Sequence, residues 1–217
     1  MSPVQAVVFD LDGVLVDSDH IWHEVRESLA HERGGRWTDR SEPDMMGMSS
    51  PEWSRYLHDV VGIPDLPQEI NDEVVRRMLS RYEAELPLID GAVAAVRRLA
   101  GSFRLAVASS ANRELIDRVL EQAGLAGHFE ASVSSEEVPR GKPAPDVYLE
   151  AARRLGVAPE QCAAIEDSAN GVRAARAAGM RVVAIPNRRY PPAADALELA
   201  DEVVTAIAEL SPELVAG

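Results

Sequence analysis

Hydrophobic residues recur along the chain in short, nearly continuous runs, separated by longer segments in which they follow helical spacing. The runs are rich in valine and alanine, which is typical of strands buried on both faces of a parallel sheet. They predict strands at residues 4–9, 105–108, 162–165, 182–185 and 202–205. The segments between them predict helices at 91–100, 112–123, 145–155 and 168–178. Alternation of this kind predicts an α/β fold with helices on both faces of the sheet, arranged as three α/β/α layers.

One region departs from this alternation. Between residues 17 and 86 the hydrophobic pattern is wholly helical, with candidate helices at 21–32, 51–61 and 67–85. A helical stretch placed directly after the first strand is typical of a separate unit covering the sheet. We therefore predict a core domain formed by residues 1–16 and 87–217, with residues 17–86 as an inserted, all-helical cap domain. Residues 17–86 are called the helical insert below.

Composition and charge limit the partners that the protein could bind and the cellular compartment in which it could lie. The net charge of −14 argues against nucleic acid and anionic membranes, because both reward clustered lysine and arginine. No stretch approaches the roughly 20 apolar residues that a membrane span requires. The amino-terminal apolar run is too short for a signal peptide, and the single cysteine, Cys162, cannot form an internal disulfide. These features predict a cytoplasmic protein.

Polar side chains follow the ends of the predicted strands, where sites form in open parallel sheets. The loops there contain Asp10 and Asp12, Ser109 and Ser110, and Glu166 and Asp167. Lys142 lies in a loop before a predicted helix and is expected at the same edge. Phosphoryl transfer needs an in-line nucleophile, a proton donor for the leaving oxygen, and cations around the equatorial oxygens. Mg²⁺ prefers oxygen ligands and takes one or two protein carboxylates, which Asp10 and Asp167 supply.

These segments resemble, in the same order, the four motifs of the haloacid dehalogenase superfamily, in the branch with a helical cap after the first motif. Residues 10–18 resemble the first motif, Ser109 the second, Lys142 the third, and Glu166 with Asp167 the fourth. One such motif is weak, whereas four in order are specific. The resemblance implies a Rossmann-like core and a Mg²⁺-dependent phosphatase that works through an aspartyl-phosphate.

The resemblance also implies a role for each catalytic residue. Asp10 is expected to attack phosphorus, and Asp12 to protonate the leaving oxygen and later activate water. Ser109 is expected to hydrogen-bond the phosphoryl group. Lys142 is expected to offset negative charge and hold Asp10 in line.

The same resemblance implies a metal site and a substrate site. Mg²⁺ is expected on the Asp10 carboxylate, the Asp12 backbone carbonyl and Asp167, with Glu166 as a direct or outer-shell ligand. The substrate-binding candidates are Gly13, Trp22, Ser109, Ser110, Asn112 and Lys142. The expected substrate is a small phosphorylated metabolite, in particular a sugar phosphate, and the expected assembly is a monomer or weak homodimer.

Several of these residues have simpler explanations. Ser110 and Asn112 are also suited to cap a helix, and Glu166 with Asp167 could stabilise a helix amino terminus. Lys142 could be an ordinary solvated lysine. The pattern does not decide whether Trp22 packs inside the helical insert or faces the substrate.

Two other functions stay open. A β-phosphoglucomutase-like mutase of the same branch needs a histidine and an arginine in the cap, but Trp22 and Ser50 occupy those positions. A phosphate-binding module without turnover needs no acid such as Asp12 beside a nucleophile. A dehalogenase is disfavoured, because dehalogenases lack an acid at the Asp12 position and need no magnesium.

Overall fold

A six-stranded parallel sheet forms the centre of the molecule in the computed structural model, which describes residues 3–217. The strands are β1 Ala6–Phe9, β2 Arg104–Ser109, β3 Ala131–Ser134, β4 Cys162–Glu166, β5 Arg181–Ala184 and β6 Glu202–Val203. Their order across the sheet is β3-β2-β1-β4-β5-β6, and every neighbouring pair is parallel. The predicted α/β class is confirmed.

The helices flank this sheet and form the segment between β1 and β2. They are α1 Asp19–Glu32, α2 Ser41–Met45, α3 Ser50–Asp59, α4 Pro67–Ala84, α5 Ala92–Ala100, α6 Arg113–Gln122, α7 Asp146–Leu155, α8 Ala169–Ala177, α9 Ala194–Leu197 and α10 Pro212–Ala216. The predicted helices are present, with ends shifted by one or two residues. The sequence did not predict β3, because its serines alternate with small apolar residues. It also did not predict α2, α9 or α10, which are only 4 or 5 residues long.

Two hydrophobic cores lie on the two faces of the sheet. Because successive strand side chains point to opposite faces, Val7 and Phe9 join one core while Ala6 and Val8 join the other. All four side chains are fully buried. This burial explains why β1 is a continuous apolar run, and it places Asp10 directly beyond the carboxyl end of a central strand.

The helical insert enters and leaves the sheet region at one place. Val16 forms an antiparallel bridge with Leu88, and the Asp17 amide donates to the Pro87 carbonyl oxygen at 2.8 Å. Between these connections the described chain contains helices and loops without a strand. Buried residues of the insert continue the core that contains Val7 and Phe9. None of the helices within residues 3–217 has the length and hydropathy of a membrane span.

Candidate active site

Lys142 lies at the centre of a buried charge cluster at the carboxyl edge of the sheet. Its ammonium donates to Asp10 Oδ1 at 2.9 Å, to Glu166 Oε1 at 2.6 Å and to the Ala108 carbonyl oxygen at 3.2 Å. These three contacts use all three of its protons. Lys142 is only 4 % exposed, so the alternative of a solvated loop lysine is wrong. The lysine fixes the direction of the Asp10 carboxylate, which comes from a strand end 132 residues away in sequence.

Glu166, the last residue of β4, is fully buried and engaged through both of its oxygens. Oε1 accepts from Lys142 and from the Tyr148 hydroxyl at 2.6 Å, whereas Oε2 accepts from the Asp167 amide at 3.1 Å and the Ser168 amide at 3.3 Å. A Cβ at Gly171 would lie 1.8 Å from Glu166 Oε1, so only glycine fits there. These contacts position Lys142 and leave Glu166 little capacity to bind a cation directly.

Asp167 follows β4, the strand next to β1, and lies near Asp10. Its side chain is held by a hydrogen bond from Asn187. Asn187 Nδ2 donates to Asp167 Oδ2 at 2.8 Å and also to the carboxylate of Asp19, the first residue of α1. Gly13 has a φ of 75°, and a Cβ there would lie 1.8 Å from Asp167 Oδ2. Gly13 is therefore needed for the close approach of its loop to Asp167.

The acidic cluster has the chemistry of a divalent-cation site. Asp10, Glu166 and Asp167 each place a carboxylate oxygen within 4.8 Å of the others. Burial raises the pKa of Asp10 to about 8, opposed by the Lys142 ammonium and reinforced by the Glu166 carboxylate. Burial, followed by the charges of Glu166 and Asp10, also raises the pKa of Asp167 well above its usual range. A single lysine thus leaves negative charge uncompensated among oxygen ligands of the kind that Mg²⁺ prefers.

Asp12 lies beside this cluster and accepts hydrogen bonds from the helical insert. Its Oδ1 accepts from the Ser18 hydroxyl and from Trp22 Nε1, the latter at 3.1 Å. The Trp22 ring is 6 % exposed and packs edge-on against Trp53 at 6.0 Å between ring centroids. The two alternatives for Trp22 are therefore not exclusive: its ring packs within the helical insert, and its indole nitrogen reaches Asp12 at the site.

Ser109 and Ser110, at the end of β2, lie in different surroundings: Ser109 is buried, whereas Ser110 lines the cavity. Ser109 is fully buried and its Oγ accepts from the Ala111 amide at 3.0 Å, which leaves its own proton to donate. Ser110 lines the cavity above Asp10 and donates to the Gly47 carbonyl oxygen of the insert at 3.0 Å. Neither serine hydroxyl caps α6.

Asn112 occupies the residue before α6 but makes no capping hydrogen bond through its side chain. Its Nδ2 donates to Asn71 Oδ1 at 3.0 Å and to Glu136 Oε1 at 2.8 Å. Asn112 lines a separate groove between α4 and α6, so the structure does not bring it to Asp10. Ser168 caps α8 by accepting from the Gly171 amide, and Glu166 accepts from the Asp167 and Ser168 amides just before that helix.

A cavity of about 80 Å³ lies between the sheet edge and the helical insert. The sheet side of its wall is formed by Asp10, Asp12, Ser110, Ala111, Lys142, Asp167 and Ser168. The insert side is formed by Asp19, Trp22, Arg26, Glu42, Met45, Met46, Gly47, Met48 and Trp53. Four chain segments distant in sequence therefore converge on one cavity, as the motif spacing predicted.

Among the residues that line the cavity or bind its carboxylates, sequence reasoning did not single out Asp19, Arg26, Glu42, Tyr148 and Asn187. Tyr148 lies at one of the apolar positions of α7, so its spacing in the sequence indicates an ordinary core residue. Asp19 directly follows the first-motif segment, so its position was a usable signal. Arg26 and Glu42 are charged residues in a helical region, where a solvated surface is the usual explanation.

Comparison with known proteins agrees with this geometry. Residues 4–179 match the model of the haloacid dehalogenase-like hydrolases. The chain is 34% identical over 189 residues to hexitol phosphatase B of Escherichia coli, covering 84% of each protein. It is 33% identical over 184 residues to the E. coli fructose-1-phosphate phosphatase YqaB, covering 82% of this chain and 94% of that protein.

A solved structure shows the same fold. β-Phosphoglucomutase from Clostridium difficile superposes with a TM-score of 0.83 at 23% identity, covering 98% of this chain and 95% of that chain. At this identity the likeness concerns the fold alone. The family match over residues 4–179 and the relatives more than 30% identical show that the chain belongs to the haloacid dehalogenase-like hydrolases.

Proposed function

We propose that the protein is a Mg²⁺-dependent phosphatase that hydrolyses a sugar phosphate or similar small phosphorylated metabolite through an aspartyl-phosphate on Asp10. The observation that carries this proposal is the Asp10 carboxylate itself, held by Lys142 at 2.9 Å and lining the cavity together with Asp12. Two relatives more than 30% identical are named as phosphatases of sugar or hexitol phosphates. A cytoplasmic location belongs to the same proposal.

In the first step, one Asp10 oxygen attacks phosphorus and the bond to the leaving oxygen breaks. Lys142 binds Oδ1, so Oδ2 is the oxygen left to attack. Asp12 donates a proton to the leaving oxygen, which departs as a neutral hydroxyl. The hydroxyl of Ser109 is proposed to bind a phosphoryl oxygen.

In the second step, water attacks the same phosphorus and releases Asp10. Asp12, now ionised, accepts the proton from that water, so it returns to its starting state. The Ser18 and Trp22 contacts to its Oδ1 hold the side chain in place. Its other oxygen is available for both proton transfers.

Mg²⁺ would be held by the carboxylates of Asp10 and Asp167 and the backbone carbonyl of Asp12, and would neutralise charge on the phosphoryl oxygens. Glu166 would act in the outer shell, because Lys142, Tyr148 and two amides already bind its oxygens. Asn187 orients Asp167 from outside the site.

The helical insert, residues 17–86, is proposed to act as a cap that opens to admit substrate and closes to exclude water. In the structure it contacts the sheet edge through hydrogen bonds from Ser110 to Gly47 and from Asn170 to Met46, each 3.0 Å long. The side-by-side connections at 16–17 and 87–88 are the proposed hinges.

The mutase alternative finds less support in the insert. The position expected to carry a proton-transferring histidine holds Trp22, whose indole donates to Asp12. The position expected to carry a phosphate-binding arginine holds Ser50, which donates to Glu136 at 2.9 Å and does not line the cavity. His23, one residue later, contacts Glu27 and Trp37.

The test is release of phosphate from p-nitrophenyl phosphate with Mg²⁺ or with EDTA, followed by a panel of sugar and hexitol phosphates. We expect turnover with Mg²⁺ and none with EDTA. Asp10→Asn should lower the rate by at least about 10³-fold, because it removes the covalent route. Near-normal turnover by the variant would show that Asp10 is not the nucleophile. A requirement for a bisphosphate activator would favour the mutase.

A further inference from the structure

A buried ion pair in the helical insert has no part in the chemistry described above. Arg26 of α1 and Glu42 of α2 both line the cavity, and they are 6 % and 4 % exposed. Arg26 Nη1 donates to Glu42 Oε1 at 2.9 Å. Buried ion pairs add little to stability on average, so this one calls for another explanation.

Two tryptophans hold the guanidinium in place. The Arg26 Cζ lies 4.4 Å from the centroid of Trp22 and 4.9 Å from that of Trp53, within the range of cation–π contacts. Both tryptophans also line the cavity. Because ring contacts and an ion pair fix the arginine on several sides, its guanidinium is preorganised where Arg26 lines the cavity.

Each member of the pair keeps one buried polar atom without a hydrogen-bond partner. These atoms are Nε of Arg26, a donor, and Oε2 of Glu42, an acceptor. Leaving such groups unpaired is unfavourable, and most buried polar groups in proteins are paired. Hydroxyl groups have the matching chemistry, since a hydroxyl can accept from a guanidinium and donate to a carboxylate.

We propose that the Arg26–Glu42 pair determines specificity by binding hydroxyl groups of a neutral, polyhydroxylated leaving group, and that it selects against substrates with a second phosphate. This inference rests on the proposed phosphatase function and extends it to the substrate's distal end. The thioethers of Met45 and Met48 and the two indole rings complete a wall suited to the carbon skeleton of a sugar or hexitol.

Selection against a second phosphate follows from the charges around the cavity. Among the described residues that line it, the cations are Arg26 and Lys142, and both are already paired with carboxylates. Glu42 and Asp19 would face a second phosphate with like charge. Repulsion of this kind excludes a competing ligand without any change in the contacts to the preferred one.

The experiment compares two double variants on two kinds of substrate. Arg26→Met with Glu42→Met replaces the pair by side chains of similar length, which buried sites tolerate better than loss of one partner. The matched control, Glu24→Met with Arg81→Met, removes an exposed pair of the same insert with an N–O distance of 2.6 Å. The substrates are p-nitrophenyl phosphate, which has no hydroxyl groups in its leaving group, and a panel of hexose and hexitol monophosphates.

We expect the Arg26/Glu42 double variant to lower kcat/KM on the best panel substrate by roughly 10- to 100-fold, mainly through KM. Its rate on p-nitrophenyl phosphate should stay within about 2-fold, and the control should be unchanged on both. Equal losses on both substrates, or no loss on either, would overturn the specificity role while leaving the phosphatase intact. Failure of the wild-type protein on every phosphate ester tested would instead overturn the phosphatase and this inference together.

A single variant tests the selection against a second phosphate. Glu42→Gln keeps the shape of the side chain and removes its charge, which frees the Arg26 cation. On a hexose bisphosphate, kcat/KM relative to the matching monophosphate should rise by roughly 10-fold. A wild-type protein that already prefers bisphosphates would contradict the proposal. If the single variant does not fold, as a thermal melt would show, that wild-type comparison still decides it.

Discussion

The sheet edge and the helical insert form the two sides of one cavity with different chemistry. At the sheet edge, Lys142 and three carboxylates contact one another within a few ångströms, and Asp12 stands beside them. The insert wall is largely aromatic and thioether, with one ion pair neutralised internally. The edge is therefore equipped to stabilise charge that develops during reaction, whereas the insert is equipped to recognise a neutral group.

The two sides also differ in how the chain builds them. Residues of the sheet edge follow the ends of paired strands, so the backbone ladder fixes their relative positions. The insert residues come from α1, α2, α3 and the loop between α2 and α3, whose placement depends on side-chain packing. This difference suggests that chemistry and specificity in this molecule can be changed separately.

The largest expected effect comes from Lys142→Met, which removes the only lysine of the charge cluster at the sheet edge. Removal of the ammonium leaves Asp10 and Glu166 unpaired in a buried site, so we expect a loss of about 3–5 kcal/mol in the free energy of unfolding. Turnover should fall by roughly 10²- to 10³-fold on every substrate, including p-nitrophenyl phosphate. Urea melts and steady-state rates measure the two effects.

Arg104→Met is the control for this variant, because it removes an exposed pair with Glu130 and lies far from the charge cluster in the sheet. It should change stability by less than about 0.5 kcal/mol. Normal turnover of p-nitrophenyl phosphate by the Lys142→Met protein would show that the buried charge cluster is not needed for catalysis.

The pH dependence of stability tests the charge of the buried carboxylates at the sheet edge. The pKa of Asp10 is about 8 in the fold and near 3.8 otherwise, so the folded state retains a proton that the unfolded state loses. Without Mg²⁺, stability should therefore fall as pH rises from about 4 to about 8, by about 2–4 °C in Tm for each kcal/mol lost. Mg²⁺ binds the ionised carboxylates, so its stabilising effect should grow over the same range.

Thermal melts from pH 4 to pH 8, with EDTA or with Mg²⁺, provide the measurement. Asp10→Asn should flatten the decline seen with EDTA. Glu130→Gln, an exposed change outside the site, should leave it as it is. A Tm that rises through this range in EDTA would show that the cluster does not carry the excess negative charge described here.

The smallest effect is expected where the two sides meet. Trp22→Phe removes the indole hydrogen bond to Asp12 at 3.1 Å and keeps a ring beside Trp53. The loss of this hydrogen bond should lower kcat by roughly 3- to 10-fold on all substrates, because the lost contact orients Asp12 while Phe keeps an aromatic ring at the cavity wall. Trp37→Phe, which alters a ring packed on His23, should have no effect on rate. A loss confined to sugar phosphates would assign Trp22 to recognition instead.

The sequence predicted the sheet edge well for a physical reason. Parallel strands bring their carboxyl ends to one edge, so the positions of Asp10 and Asp167 after predicted strands were sufficient to place them together. Lys142 follows no predicted strand and was placed there by its match to the third motif. The short strand β3 escaped prediction because its serines break the apolar run. It lies next to β2 and was not needed to find the site.

The insert side was much less predictable. Arg26 and Glu42 are 16 residues apart, and α2 is a 5-residue helix that contains a proline, so no periodicity indicated that they would meet. Asn187 lies in a loop after β5, where its polar side chain gave no sign that it would bind Asp167. Contacts that depend on helix packing and loop conformation have no short-range signature in the sequence.

The most direct test of the central claim is detection of the phosphoryl group on Asp10. The wild-type protein and Asp12→Asn are mixed with Mg²⁺ and p-nitrophenyl phosphate, whose leaving group departs without a proton from Asp12. The samples are quenched in acid within milliseconds and digested for mass spectrometry. Because Asp12 activates the water of the second step, we predict that Asp12→Asn accumulates a phosphorylated peptide containing Asp10. Turnover by the wild-type protein with no phosphoryl group on this peptide in either sample would contradict the account.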